Sequence, residues 1–176
     1  MILLVSDQSF LHEQLYHLLK QKEVEVTQDP NKNYFVKILF SQHNQNLILD
    51  INKVQKVFKT PLSFKSLTND LFEELFLIQI DVKNFTYFPY KQALKFQNKI
   101  IQLKQIHYQI INSLILNIHY GLEKNELYKK IWPNDKNLSI NKLDTHLTNL
   151  KSLINNELRC EVDFQTKNRV LKLIIN

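Results

Sequence analysis

One glycine in 176 residues, Gly121, is the feature that most limits what this chain can become. Phosphate-cradling loops and dinucleotide-binding turns need clustered glycines, because only a backbone without Cβ approaches a phosphate that closely. Both classes are therefore excluded, and Gly121 reads as punctuation. Before it, Leu103, Ile106, Ile110, Ile111, Leu114, Ile115 and Ile118 recur at helical spacing, and Gly121 is the expected C-cap. After it, the spacing predicts a short helix over 124–132, stopped by Pro133. Residues 134–138 then form a loop, and Ser139 is the expected N-cap of a third helix. Cys160, Val162 and Phe164 alternate, a polar tip Thr166-Lys-Asn-Arg169 follows, and Leu171 and Leu173 complete a terminal β-hairpin. Upstream, 85–88 and 93–96, separated by Pro89, predict an antiparallel pair, with Ile100-Ile101 a third strand.

Strands, three helices and a closing hairpin describe a winged helix-turn-helix. The first half has a different rhythm. Residues 2–5 are a buried strand; Phe10, Leu11, Leu15, Leu18 and Leu19 mark a helix that Ser9 caps. Val24 and Val26 alternate briefly, Asp29-Pro30-Asn31 is a turn, and 34–40 and 47–51 are strands. Pro61 breaks the chain, and Ser63 caps a helix carrying Phe64, Leu67, Leu71, Phe72, Leu75 and Phe76 on a broad apolar side. The order predicts a small α/β layer fold over 1–80, followed by an α+β unit over 81–176.

Charge separates the same halves. Residues 1–80 carry 8 Lys against 9 Asp and Glu, net −1; residues 81–176 carry 15 Lys and Arg against 8, net +7. The whole excess of +6 lies in the second half, a pointer to a polyanion. With 44% hydrophobic residues the chain can bury a core, yet no window of about 20 apolar residues exists to span a membrane. The single cysteine, Cys160, excludes a disulfide framework and, with no signal-peptide pattern at the start, suggests a cytoplasmic protein. His107 and His146 read as packing residues, since no further Cys or His stands at ligand spacing; no metal or cofactor is expected. No nucleophile–base pair stands at a recognisable spacing, so no enzyme is expected.

The third helix has an unusual outer face. At 100° per residue, Leu147, Leu150 and Ile154 fall within about 40° of Leu143, and that stripe is core. Opposite lie Asn141, Thr145, Thr148 and Ser152, flanked by Lys142, Asn149, Asp144 and Lys151. A solvated face favours strong helix formers such as Glu and Lys. Short polar side chains instead let a helix enter a groove: Asn pairs bidentately with adenine, and a Thr methyl meets that of thymine. Lys142 and Lys151 sit where they reach phosphates.

Ile131-Trp132, followed by the run Ser139-Ile-Asn-Lys-Leu-Asp-Thr-His-Leu-Thr-Asn-Leu-Lys, resembles the DNA-binding domain of OmpR/PhoB-type response regulators. Leu143, Asp144, His146, Leu147, Leu150 and Lys151 match the family's recognition-helix pattern in register, and the resemblance spans about residues 83–174. It departs at the wing, whose tip Lys167-Asn168 lacks the family's glycines and Tyr, and at His107, where the family has Glu. Asn141 and Asn149 stand where basic residues are usual. The resemblance implies that the 141–152 face enters the major groove of double-stranded DNA. Lys129, Lys130 and Trp132 then approach phosphates, and the wing residues Thr166, Lys167, Asn168 and Arg169 border the minor groove.

The first half resembles a shortened receiver domain: Ile-Leu-Leu-Val-Ser-Asp7 at its first strand, and Phe58-Lys-Thr-Pro61 at its last turn. The resemblance implies a cation-holding Asp7 and an acceptor Asp50, but Ser6 replaces a second acid, and Thr60-Pro61 stands where a Lys-Pro pair is usual. A pseudo-receiver working without phosphorylation is the expectation, with one or two β/α units missing. The helix after Pro61, through Phe64, Leu67, Leu71, Phe72 and Leu75, is the expected homodimer surface. A DNA-binding transcription regulator follows, with RNA polymerase a further candidate partner. A protein-interaction adaptor and a genuinely phosphorylated switch are the alternatives.

Overall fold

The computed structural model describes residues 1–22, 24–43, 46–51, 54–59, 63–135, 137 and 139–175. Thr60, Pro61 and Leu138, to which the sequence assigned a break and a loop end, lie outside the described residues. Two compact units emerge, Met1–Leu77 and Ile78–Asn176.

The first unit runs β1 (Ile2–Ser6), α1 (Ser9–Gln21), β2 (Val26–Thr27), β3 (Val36–His43), β4 (Asn46–Ile51), β5 (Val54–Lys59) and α2 (Phe64–Leu77). Its sheet has the order β2-β1-β3-β4-β5. β1 lies parallel to β2 and β3, whereas β3, β4 and β5 form an antiparallel meander. The sequence carries both signatures. β1 is paired along both edges, and Ile2, Leu3 and Leu4 are all buried, the continuous apolar run that parallel strands carry. β4 alternates, with Leu47, Leu49 and Ile51 buried and Asn46, Ile48 and Asp50 half-buried, as an antiparallel strand with one wet face requires.

The order 2-1-3-4-5 is that of a doubly wound sheet, but doubly wound sheets are parallel with helices on both faces. Here Phe10 and Leu11 of α1, Phe64 and Leu67 of α2 and Leu47 of β4 line one cleft of about 250 Å³. Both helices therefore lie over the face bearing Leu47, Leu49 and Ile51. Lys56, which faces Leu49 in the register, pairs with Glu74 of α2 at 2.6 Å on that same side. The opposite face leaves Lys37, Ser41, Gln55, Val57 and Lys59 exposed. Where a receiver short of one or two β/α units is expected, two antiparallel hairpin strands, β4 and β5, stand in the place of parallel β/α units, and the unit has two layers.

At the caps, Gln8 and not Ser9 occupies the N-cap of α1. Ser63 behaves as expected, its Oγ accepting from the Ser66 N–H at 3.1 Å.

The second unit opens with an antiparallel meander of β6 (Ile80–Val82), β7 (Phe85–Phe88), β8 (Ala93–Phe96) and β9 (Lys99–Gln102). Next come α3 (Gln105–Leu116), β10 (Leu122–Glu123), α4 (Lys124–Ile131) and α5 (Ile140–Leu153). A π-helical turn over Ile154–Leu158 leads to the hairpin β11 (Val162–Lys167) and β12 (Val170–Ile175). β10 adds to β12, making a three-stranded sheet β10-β12-β11. The buried Tyr87 hydroxyl donates to Asn112 Oδ1 at 2.9 Å, tying β7 to α3 so that neither polar group is stranded in the core.

Gly121 is not the C-cap of α3, which ends at Leu116, five residues earlier, with Asn117 as its cap. Its φ is +79°, and a Cβ there would meet Val170 Cγ1 and Lys172 Cγ at 2.7 Å and the Leu171 carbonyl at 2.8 Å. The glycine lets β10 pass against β12, which fastens the hairpin to the helices.

Candidate nucleic-acid interface

α5 buries Leu143, Leu147 and Leu150 at i, i+4 and i+7. The outer residues Asn141, Lys142, Thr145, Thr148, Asn149, Lys151 and Ser152 are exposed, and Asp144 is half-buried. The expected solvent-facing stripe is therefore assembled on one helix. The Thr145 hydroxyl donates to the Asn141 carbonyl and that of Thr148 to the Asp144 carbonyl, each at 2.9 Å. With their protons committed to the backbone, these threonines offer an acceptor oxygen and a methyl group. Asn141 and Asn149 supply the amides that carry both donor and acceptor.

The helix is held from behind by an aromatic file. Tyr128 and Trp132 lie 4.7 Å apart between ring centroids, Trp132 and His146 5.6 Å, and His146 and His107 6.0 Å. That file joins α4, α5 and α3. Trp132, expected beside phosphates, is half-buried within it and acts first as a spacer that sets the pose of α5. His107 Nδ1 is buried and has no hydrogen-bond partner among the described residues. Burial, then His146 and Lys104, hold its imidazole below the ordinary value of 6.5. The Tyr128 hydroxyl donates to Asp135 Oδ2 at 2.6 Å, fixing the chain between α4 and α5. This bond, the Asn137 N–H and Lys142 hold Asp135 below the usual carboxylate range.

Three lysines around α5 have carboxylate partners that the sequence did not disclose. Lys151 Nζ lies 2.8 Å from Asp163 Oδ1 on β11. Lys142 Nζ lies 3.4 Å from Asp135 Oδ2 and 4.3 Å over the Trp132 ring. Lys124, at the start of α4, pairs with Asp144. The first and last pairs flank a cleft of about 280 Å³ between α5 and the hairpin, lined also by Leu147, Thr148, Phe164 and Thr166. Partners so distant in sequence leave no local signal, apart from the excess of Lys in this half.

Lys129 and Lys130 are exposed in the last turn of α4. Thr166, Lys167, Asn168 and Arg169 are exposed at the hairpin tip. Asn168 and Arg169 adopt φ of 50° and 68°, a two-residue turn with both central residues left-handed. Arginine is a costly choice there, by about 1–2 kcal/mol. Its carbonyl accepts from the Lys124 N–H at 3.1 Å, which anchors the tip to the start of α4.

In the first unit Asp7 and Asp50, the residues to which the receiver resemblance gives cation and phosphoryl roles, lie on different strands. Asp7 accepts from the Gln42 N–H at 3.2 Å at the end of β1. Asp50 sits on β4 opposite Leu39 and Gln55, accepting from the Gln55 amide at 3.1 Å. Two strand spacings, roughly 9–10 Å, separate β4 from β1, and in the register Asp50 stands level with Val5, two residues short of Asp7. Among the described residues no group of three or more His, Cys, Asp or Glu is placed to hold a metal ion.

The expected dimer surface also divides. Leu67, Leu71 and Leu75 are 2%, 0% and 1% exposed, because the i, i+4, i+8 stripe of α2 covers its own sheet. Phe72 is half-buried, and Phe64 is exposed together with Phe76 and Leu77 at 47% and 68%.

No family model matches the chain. No curated protein matches it either. Among solved structures it is similar to the DNA-binding domain of E. coli CadC, with 14% identity and a TM-score of 0.46 over 56% of this chain and 96% of that one. No described helix is long and apolar enough to cross a membrane.

Proposed function

We propose that the chain is a sequence-specific regulator of transcription that binds double-stranded DNA through a winged helix in its second unit. The observation that carries this reading is the α5 face: an exposed stripe of Asn, Thr and Ser, backed by a leucine core and adjoined by a cationic hairpin. α5 enters the major groove, where Asn141 and Asn149 read base edges. Lys129, Lys130, Lys167 and Arg169 meet phosphates, which set register without reading sequence. The hairpin tip borders the adjacent minor groove.

The first unit, in this reading, is a non-phosphorylated pseudo-receiver that dimerises through the outer side of α2. Separation of Asp7 from Asp50 supports the absence of phosphotransfer, and the exposed Phe64, Phe76 and Leu77 support the contact. The protein works in the cytoplasm, without enzymatic activity of its own, and RNA polymerase is its candidate partner on DNA. A gel-shift series with duplex DNA tests the reading: complexes form at low salt and weaken steeply as salt rises. Absence of any complex at low salt refutes it.

A further inference from the structure

We infer that Asp163 is an internal competitor of DNA phosphates for Lys151, so that α5 contributes base contacts with little non-specific phosphate attraction. The inference rests on the DNA-binding reading and concerns how that interface is balanced. Lys151 lies on the outer side of α5, where its ammonium would otherwise reach the backbone of a duplex in contact with Asn149 and Ser152. Instead its Nζ lies 2.8 Å from Asp163 Oδ1. The carboxylate does not drift: its Oδ1 also accepts from the Phe164 N–H at 2.9 Å, and its Oδ2 from the Gln165 amide at 3.4 Å. It is a preorganised anion, set on the hairpin that faces the helix, with an acceptor geometry that phosphate oxygens would share.

The same device recurs around the helix. Lys142 is held by Asp135 and lies over Trp132, and Lys124 is held by Asp144. A face whose cations are already neutralised attracts any polyanion weakly, while its asparagines and threonines keep their full discrimination between bases. Asp163 therefore raises the ratio of specific to non-specific binding by lowering the second more than the first. Exposed ion pairs are weak enough to be exchanged, so the restraint is graded.

The test is a double-mutant cycle on the full chain, read by fluorescence anisotropy against a random-sequence duplex at several salt concentrations. Asp163→Asn keeps an oxygen for the Phe164 N–H while discharging the competitor. It should tighten binding about eightfold near 0.1 M salt, since one added phosphate contact carries a slope of about 0.9 in log K per decade of salt. The salt slope should steepen by the same amount. Lys151→Met alone should weaken binding by far less than eightfold, because the paired lysine gives up no phosphate contact and only the bare Asp163 carboxylate is added. In the Lys151→Met background, Asp163→Asn should give a clearly smaller gain, since it then relieves only the repulsion of a bare carboxylate.

An equal gain with and without Lys151 would show plain repulsion by a nearby carboxylate and overturn the inference. So would the absence of any gain, or a large loss on Lys151→Met alone. Each of those outcomes leaves wild-type DNA binding intact, whereas a wild-type chain that binds no duplex removes the functional reading itself. Should Asp163→Asn unfold the hairpin, seen as a lost thermal transition, the Lys151→Met result decides by itself.

Discussion

Gly121 and His107 show how single residues set the limits of the second unit. Replacing Gly121 by Ala forces a side chain into a left-handed backbone and against the Leu171 carbonyl at 2.8 Å. The penalty should be about 2–4 kcal/mol, combining left-handed strain with overpacking, and a urea denaturation midpoint measures it. His107 introduces a pH dependence whose sign is fixed. Its folded pKa lies below the ordinary 6.5, so in the window beneath 6.5 the unfolded chain binds more protons than the folded one. Stability is full above that window and falls as pH drops through it. Burial against the ring of His146, with Lys104 nearby, makes the imidazolium the unfavourable form. Thermal melting should show a lower transition at pH 5.5 than at pH 7.5, and His107→Gln should flatten the difference.

At the scale of elements, the proposed function gives the hairpin tip and α5 separable tasks. Lys167→Ala should weaken binding to all duplexes alike and reduce the salt slope by about one phosphate's worth, as for any backbone contact. A change of preference on that substitution would place the wing tip at base edges. Periodicity made most of this unit legible. The Leu143, Leu147 and Leu150 stripe, the alternation into the hairpin and the 85–88 and 93–96 strands all report burial that follows residue by residue from the pleat or the helix turn. What escaped was long-range. β6 is three residues long, and α3 stops before its apolar repeat does, because Asn117 closes it and the chain must turn into β10. The Lys151–Asp163 pair joins residues 12 apart on different elements, and no local pattern announces it. In the first unit, the apolar stripe of α2 said that one side was buried but not against what, so core residues and surface residues stood together as a dimer face.

For the whole molecule, two units divide core from contact. Leu71 is fully buried on the inner side of α2, and Leu71→Ala should cost about 2–5 kcal/mol through the cavity it leaves. Phe76→Ser, on the outer side, should leave the melting temperature nearly unchanged while shifting the mass measured by light scattering from dimer to monomer. A monomeric wild type, or unchanged mass in Phe76→Ser, removes the dimer from the account. The hairpin strands that stand in place of parallel β/α units put Asp50 away from Asp7, so incubation with a small phosphodonor and Mg²⁺ should add no mass. The central claim is that the outer face of α5 reads bases. Selection of bound duplexes from a random pool, run in parallel with the wild type and Asn149→Ala, measures it directly. The account predicts a defined motif for the wild type, and for Asn149→Ala a loss of preference confined to one position per half-site. Identical motifs from the two proteins, or no enrichment by the wild type, would contradict it.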